Sequence, residues 1–81
     1  MSAMDLQAMR RLFEVGALSE AIIAPAPMES GAWVLMVERR DGLLEHMTVA
    51  RTDRQKIYKS LESVRADAER VGFRKVTLQV A

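Results

Sequence analysis

There is no cysteine among the 81 residues. Disulfide staples, thiolate metal sites and cysteine nucleophiles are therefore excluded, and a reducing compartment is the natural setting. With a single histidine, a zinc site lacks its usual nitrogen and sulfur ligands, and no metal or other cofactor is expected. Charge of one sign is also scarce in excess: 12 basic and 11 acidic residues leave a net charge of +1. Nothing so balanced draws the whole molecule toward nucleic acid or a membrane, and any such binding needs a local patch. No apolar run approaches the ~18 residues of a membrane span. The opening stretch, MSAMDLQAMRRLFEVGAL, lacks the basic-then-apolar order of a secretory signal. The expectation is a soluble cytoplasmic protein with no membrane partner.

Hydrophobic residues make up 49% of the chain and charged residues 28%, an ordinary globular mixture that fits one domain over residues 1–81. A chain of this length buries only roughly 60–65% of its unfolded surface, so its stability margin is thin. The first helix is predicted from Ala3 to Val15. Ser2 serves as its cap with Asp5 three residues on, and Leu6, Met9, Leu12 and Phe13 form an apolar stripe. Gly16 ends it. LSEAIIAP reads as a strand stopped by Pro25 and Pro27, which make PAPMESG a loop. AWVLMVER is the second strand and LLEHMTVA the third. The segment TDRQKIYKSLESVRADAERVG carries the strongest helical pattern, with Thr52 or Asp53 as cap, Ile57, Leu61, Val64, Ala68 and Val71 as the buried stripe, and Gly72 as terminator. FRKVTLQVA alternates as a last strand, with Val76, Leu78 and Val80 on one face. The order α-β-β-β-α-β gives an α+β two-layer sandwich. Both helices lie on one face of a three- to four-stranded, mainly antiparallel sheet.

The turn in ERRDGLLEHM sets the register of the central hairpin. A two-residue Asp41-Gly42 turn would place Glu38 opposite Glu45, a like-charge pair costing up to ~1 kcal/mol. A three-residue loop, Arg40-Asp41-Gly42, puts Gly42 at the left-handed bulge position and removes the clash. It pairs Arg39 with Leu43, Val37 with Glu45, Leu35 with Met47 and Trp33 with Val49. Trp33, Leu35, Met47 and Val49 then face the helices. Val34, Met36, Leu44 and His46 share the other face, which is too apolar for a face that water wets. Those four residues are the expected interface of a homodimer.

His46 has the one side chain with an unperturbed pKa near neutrality, yet no spacing supplies it with an orienting partner. Ser30, Ser60 and Ser63 lie in no nucleophile motif, and neither a glycine-rich phosphate loop nor a recognisable carboxylate pair is present. No catalytic residue is assigned. The best basic patch is Arg51, Arg54, Lys56 and Lys59 at the predicted start of the second helix. There, unpaired backbone N–H groups and the positive end of the helix dipole favour a phosphate. Arg10 with Arg11, and Arg74 with Lys75, are smaller clusters.

The α-β-β-β-α order resembles that of the double-stranded-RNA-binding domain, but TDRQKIYKS does not match that fold's lysine-rich helix start. LFEVGALSEAIIAP, GAWVLMVER and SLESVRADAERVGFRKVTLQV together resemble a group of short bacterial proteins, often encoded on plasmids and integrated elements, labelled partition-associated. Gly31, Trp33, Gly72 and Phe73 are the clearest points of likeness. The resemblance implies plasmid maintenance and carries over no catalytic residue. The expected function is that of a non-enzymatic accessory protein, homodimeric, acting in plasmid or mobile-element maintenance through weak binding of DNA or of another bacterial protein. The alternative is a pure protein-interaction module that binds no nucleic acid.

Overall fold

The computed structural model describes residues 4–80. In chain order the elements are α1 (Leu6–Glu14), β1 (Leu18–Pro25), β2 (Trp33–Arg39), β3 (Leu44–His46), α2 (Leu61–Val71) and β4 (Thr77–Leu78). The four strands stand in the order β3-β2-β1-β4. The β3–β2 and β2–β1 pairings are antiparallel and β1–β4 is parallel. β3 and β4 therefore run in the same direction at opposite edges, joined by the chain that carries α2. The main core draws Ala21 and Ile23 from β1 and Leu35 and Val37 from β2. To these it adds Met9 from α1 and Val64, Ala68 and Val71 from α2. Both helices thus lie on one face of the sheet, as the periodicity predicts.

α1 begins later than the sequence suggests. Asp5 is its N-cap, its carboxylate accepting from the Ala8 N–H at 3.1 Å, which satisfies one of the free donors of the first turn. The expected cap, Ser2, and the expected first residue, Ala3, lie outside the described residues. β1 matches its expected span. The hairpin adopts the three-residue loop. Arg39 N–H donates to Leu43 O at 2.7 Å, Val37 pairs with Glu45, and Met47 N–H donates to Leu35 O at 2.8 Å. Gly42 has φ +92°, a left-handed conformation costly to any residue with a Cβ. Arg39 holds Glu45 at 3.3 Å across the strands.

Beyond Met47 the structure departs from the expected register. Trp33 does not pair with Val49. It exchanges two 2.8 Å backbone hydrogen bonds with Tyr58. Arg54 O accepts from Val49 N–H and Lys56 N–H donates to Met47 O, each at 2.8 Å, so residues 54–58 run back along the end of β3 in extended form. Val49, expected in the core, is 38% exposed. The same ribbon overturns the expected start of the second helix at Thr52. There the Thr52 hydroxyl donates to Val49 O and accepts from Arg54 N–H, a turn and not a cap. α2 starts nine residues later, with Ser60 as N-cap accepting from Ser63 N–H at 3.1 Å. Ile57 precedes the helix, and Leu61 on its first turn is 42% exposed. Only the Val64, Ala68 and Val71 part of the predicted stripe is buried.

At the far end the two helices close against each other. The Phe13 and Phe73 rings meet edge to face with centroids 4.9 Å apart. Gly72 ends α2 at φ +134°, and a Cβ there would lie 2.6 Å from the Phe13 ring. Two changes test this account by denaturant unfolding. Gly72→Ala is expected to cost about 1–3 kcal/mol through strain and the displaced ring. Ser60→Ala is expected to cost about 1 kcal/mol while Asp53→Ala stays within about 0.5 kcal/mol, because only Ser60 caps a helix.

Candidate functional site

The sequence marks two surfaces, and the structure treats them differently. The basic residues do not gather at a helix start. Arg51 sits in the turn before the 54–58 ribbon at φ +64°, its N–H 3.5 Å from an Asp5 carboxylate oxygen. Arg54 is exposed where the ribbon begins. Lys56 Nζ lies 3.0 Å from Asp67 Oδ2, and Lys59 is paired with Glu29. Two of the four cations are therefore bound to carboxylates of the same chain. Ser60 accepts from one of the first N–H groups of α2, that of Ser63, and the helix starts seven residues after Arg54.

What the ribbon builds instead is a buried ionic hub. Asp67 projects from α2 on the same side as Val64, Ala68 and Val71, and is 2% exposed. Its Oδ2 accepts from Tyr58 OH at 2.6 Å and from Lys56 Nζ at 3.0 Å, and its Oδ1 accepts from Arg70 at 2.5 Å. Lys56 also lies 5.1 Å from the centre of the Tyr58 ring. Burial alone would raise the pKa of Asp67. The hydrogen bonds from Tyr58, Lys56 and Arg70 outweigh it and hold the carboxyl below its usual range. Burial, and then the hydrogen bond to Asp67, push the Tyr58 phenol far above its ordinary value. The groove beside the hub, about 480 Å³, is lined by Lys56, Tyr58, Lys59, Ser60, Ser63 and Arg70 among others. Ser60 and Ser63 are engaged with each other and with the backbone of the cap, so the groove holds cations and hydroxyls already in use. Asp67 is given no role from the sequence. The signal was its place between Val64, Ala68 and Val71, which puts a carboxylate on the buried stripe, with Arg70 three residues on.

The second surface is the sheet face away from the helices. Registered cross-strand neighbours share a face, and Thr77, Ile22, Met36 and His46 form one row across all four strands. Glu20, Glu38 and Leu44 form the next row, and Ala24 with Val34 a third. Met36, Leu44 and His46 lie where the sequence places them. Leu44 is 51% exposed and Met36 half-buried. Val34 is the correction: it is 3% exposed, enclosed with Ala24, Ala26 and Ala32, and has almost no surface left to give a partner. Ile22, not singled out in the sequence, takes its place beside Met36. His46 is exposed and shares a 2.6 Å hydrogen bond with Gln55. Glu20 and Glu38 stand directly opposite each other, and Glu20 accepts from the Thr77 hydroxyl.

Among the described residues no group of three or more His, Asp or Glu side chains is placed to hold a metal ion, and no helix is long and apolar enough to cross a membrane. No protein-family model matches this chain, and searches of curated proteins and of solved structures find no significant match.

The hub carries two opposite pH dependences. Asp67 has a lower pKa folded than unfolded, so its contribution is complete above pH ~4 and is lost as pH falls through the depressed folded value. Tyr58 has a higher pKa folded than unfolded, so its contribution is complete below pH ~10 and is lost as pH rises further. Tyr58→Phe is expected to destabilise by about 1–2 kcal/mol at neutral pH. It should also abolish the alkaline decline and leave the acid decline, as measured by urea midpoints from pH 2 to 11.

Proposed function

We propose that the protein is a non-enzymatic interaction module that self-associates through the open face of its sheet. The observation that carries this is the composition of that face. Ile22 and Met36 stand side by side at its centre, with Leu44 exposed in the next row and charged or polar Glu20, Glu38, His46 and Thr77 around them. An apolar centre within a polar rim is the arrangement of a protein contact surface. A two-layer domain this small also gains from covering its second sheet face.

Phosphate binding has weaker support. Lys56 and Lys59 are neutralised within the chain, which leaves Arg51 and Arg54 as a sparse pair where nucleic-acid footprints are dense stripes. The alternative of a protein-interaction module without nucleic-acid binding is thus the better reading. The setting we infer from the resemblance of its segments is the maintenance of plasmids or mobile elements.

Met36→Asp tests the open face. Met36 is half-buried, and its side chain belongs to the small alanine-rich cluster and not to the main core, so the fold is expected to survive. Sedimentation at matched concentration should show the mass halved relative to wild type. An unchanged mass, with far-UV circular dichroism intact, removes this face as the contact.

A further inference from the structure

A different part of the sheet carries a contact that the open face does not use. β4 is the last strand in the sheet order. Its parallel register sets Thr77 against Ile22 and Leu78 against Ile23, and Gln79 N–H donates to Ile23 O at 2.7 Å. In such a strand, alternate residues turn their backbone groups toward the partner. Thr77 and Gln79 therefore face β1, while the N–H and C=O groups of Val76, Leu78 and Val80 face outward, where the sheet has no further strand. The side chains match this exposure: Leu78 is 49% and Val80 79% exposed.

The two edges of the sheet are unequal. β3 has three residues, one of them Glu45 in an ion pair with Arg39. The chain beyond it is already engaged, since Thr48 N–H donates to Met4 O at 3.1 Å and Val49 N–H donates to Arg54 O. β4 is shorter still, at two residues, so the difference between the edges lies in their composition. Val76-Thr77-Leu78-Gln79-Val80 contains no charge, no proline and no glycine. It also reads the same in both directions by residue character: valine, polar, leucine, polar, valine.

We propose that β4 pairs antiparallel with β4 of a second copy, about a two-fold axis through Leu78, to give one continuous eight-stranded sheet. An isologous contact needs a surface complementary to itself, and this segment has that property at both of its levels. Leu78 exchanges both backbone hydrogen bonds with the partner's Leu78. Val76 meets the partner's Val80 on the helix side, and Thr77 meets the partner's Gln79 on the open side. Arg74 and Lys75 of each copy fall at opposite ends of the ribbon, the two Lys75 residues about 20 Å apart, so like charges are not opposed. The axis runs normal to the sheet, which keeps all helices on one side and sets the two open faces next to each other. No residue of the Ile22–Met36–Leu44 centre takes part, so this contact does not rest on the proposed function.

Backbone amide exchange tests it directly, because among the described residues no backbone bond to the outward-facing Leu78 and Val80 amides is formed. In the wild-type protein the Leu78 and Val80 amides are expected to exchange at least ~10-fold more slowly at millimolar than at micromolar concentration. Leu78→Lys adds a charge to the edge without touching the bonds to β1. It should weaken self-association at least ~10-fold and remove the protection at Val80, while Met36→Asp leaves that protection in place. The Leu78→Lys, Met36→Asp double variant should sediment as a monomer. Unprotected Leu78 and Val80 amides at millimolar concentration overturn the edge contact. So does a folded Leu78→Lys protein that associates as strongly as wild type. In either case the open-face contact still stands or falls on Met36→Asp alone.

Discussion

The two hydrogen bonds exchanged between Trp33 and Tyr58 determine most of what distinguishes this chain from its sequence pattern. β2 begins at Trp33 with β1 on one side, and β3 has diverged by the time it would reach the other. A buried strand end with unpaired backbone groups is expensive, and residues 54–58 supply the missing partner. To do so they must be extended, and a residue cannot give its N–H to a sheet and to a helix at once. The helical periodicity from Thr52 onward is therefore sacrificed for nine residues, and α2 starts only after Ser60, where the chain has left the sheet. The gain is that Tyr58 and Lys56 arrive under α2 with their side chains directed at Asp67.

The ionic hub follows from that placement. A carboxylate on the buried face of a helix is costly unless its oxygens are filled, and here three donors from two elements fill them. Tyr58 and Lys56 come from the ribbon and Arg70 from the helix itself, so Asp67 fastens a segment of irregular backbone to a regular one. The same arrangement dissolves the phosphate site that the basic residues suggest. Placed one after another on the first turns of a helix, Arg54, Lys56 and Lys59 would have added to the helix dipole. Spread along a ribbon, Lys56 turns inward to Asp67 and Lys59 reaches Glu29, and the patch loses half its charge to the structure that carries it.

How far the sequence revealed this depends on the range of the interaction concerned. Local chemistry was legible: the left-handed Gly42, the cost of opposing Glu38 and Glu45, and the alternation of β2 together place Val37 against Glu45 and put Leu35 and Met36 on opposite faces. The termination of α2 at Gly72 was equally local. The start of α2 was not, because Thr52, Gln55 and Ile57 satisfy helix rules among themselves, and only the distant backbone of Trp33 outbids them. Val34 failed for a related reason. Its face was deduced correctly, but the alanines at 24, 26 and 32, brought together by the β1–β2 pairing, enclose it, and an alternating pattern along one strand does not report what a neighbouring loop covers. Asp67 could have been found by asking why an acidic residue lies on the one stripe that must be buried.

Two uncovered surfaces remain once the helices have taken their side of the sheet, and they differ in kind. The open face presents side chains, and stacking it on a copy of itself requires a two-fold axis lying in the plane between the sheets. The β4 edge presents backbone groups, and pairing it with itself requires an axis normal to the sheet. Perpendicular two-folds that intersect close an assembly of four chains and leave neither surface free to propagate. A domain with an uncharged edge and an apolar face would otherwise be a poor candidate to stay soluble, because each is a route to open-ended association. The palindromic character of Val76 to Val80 matters for this reason: a self-complementary edge is used up by one partner, whereas an edge without that symmetry accepts any strand that reaches it.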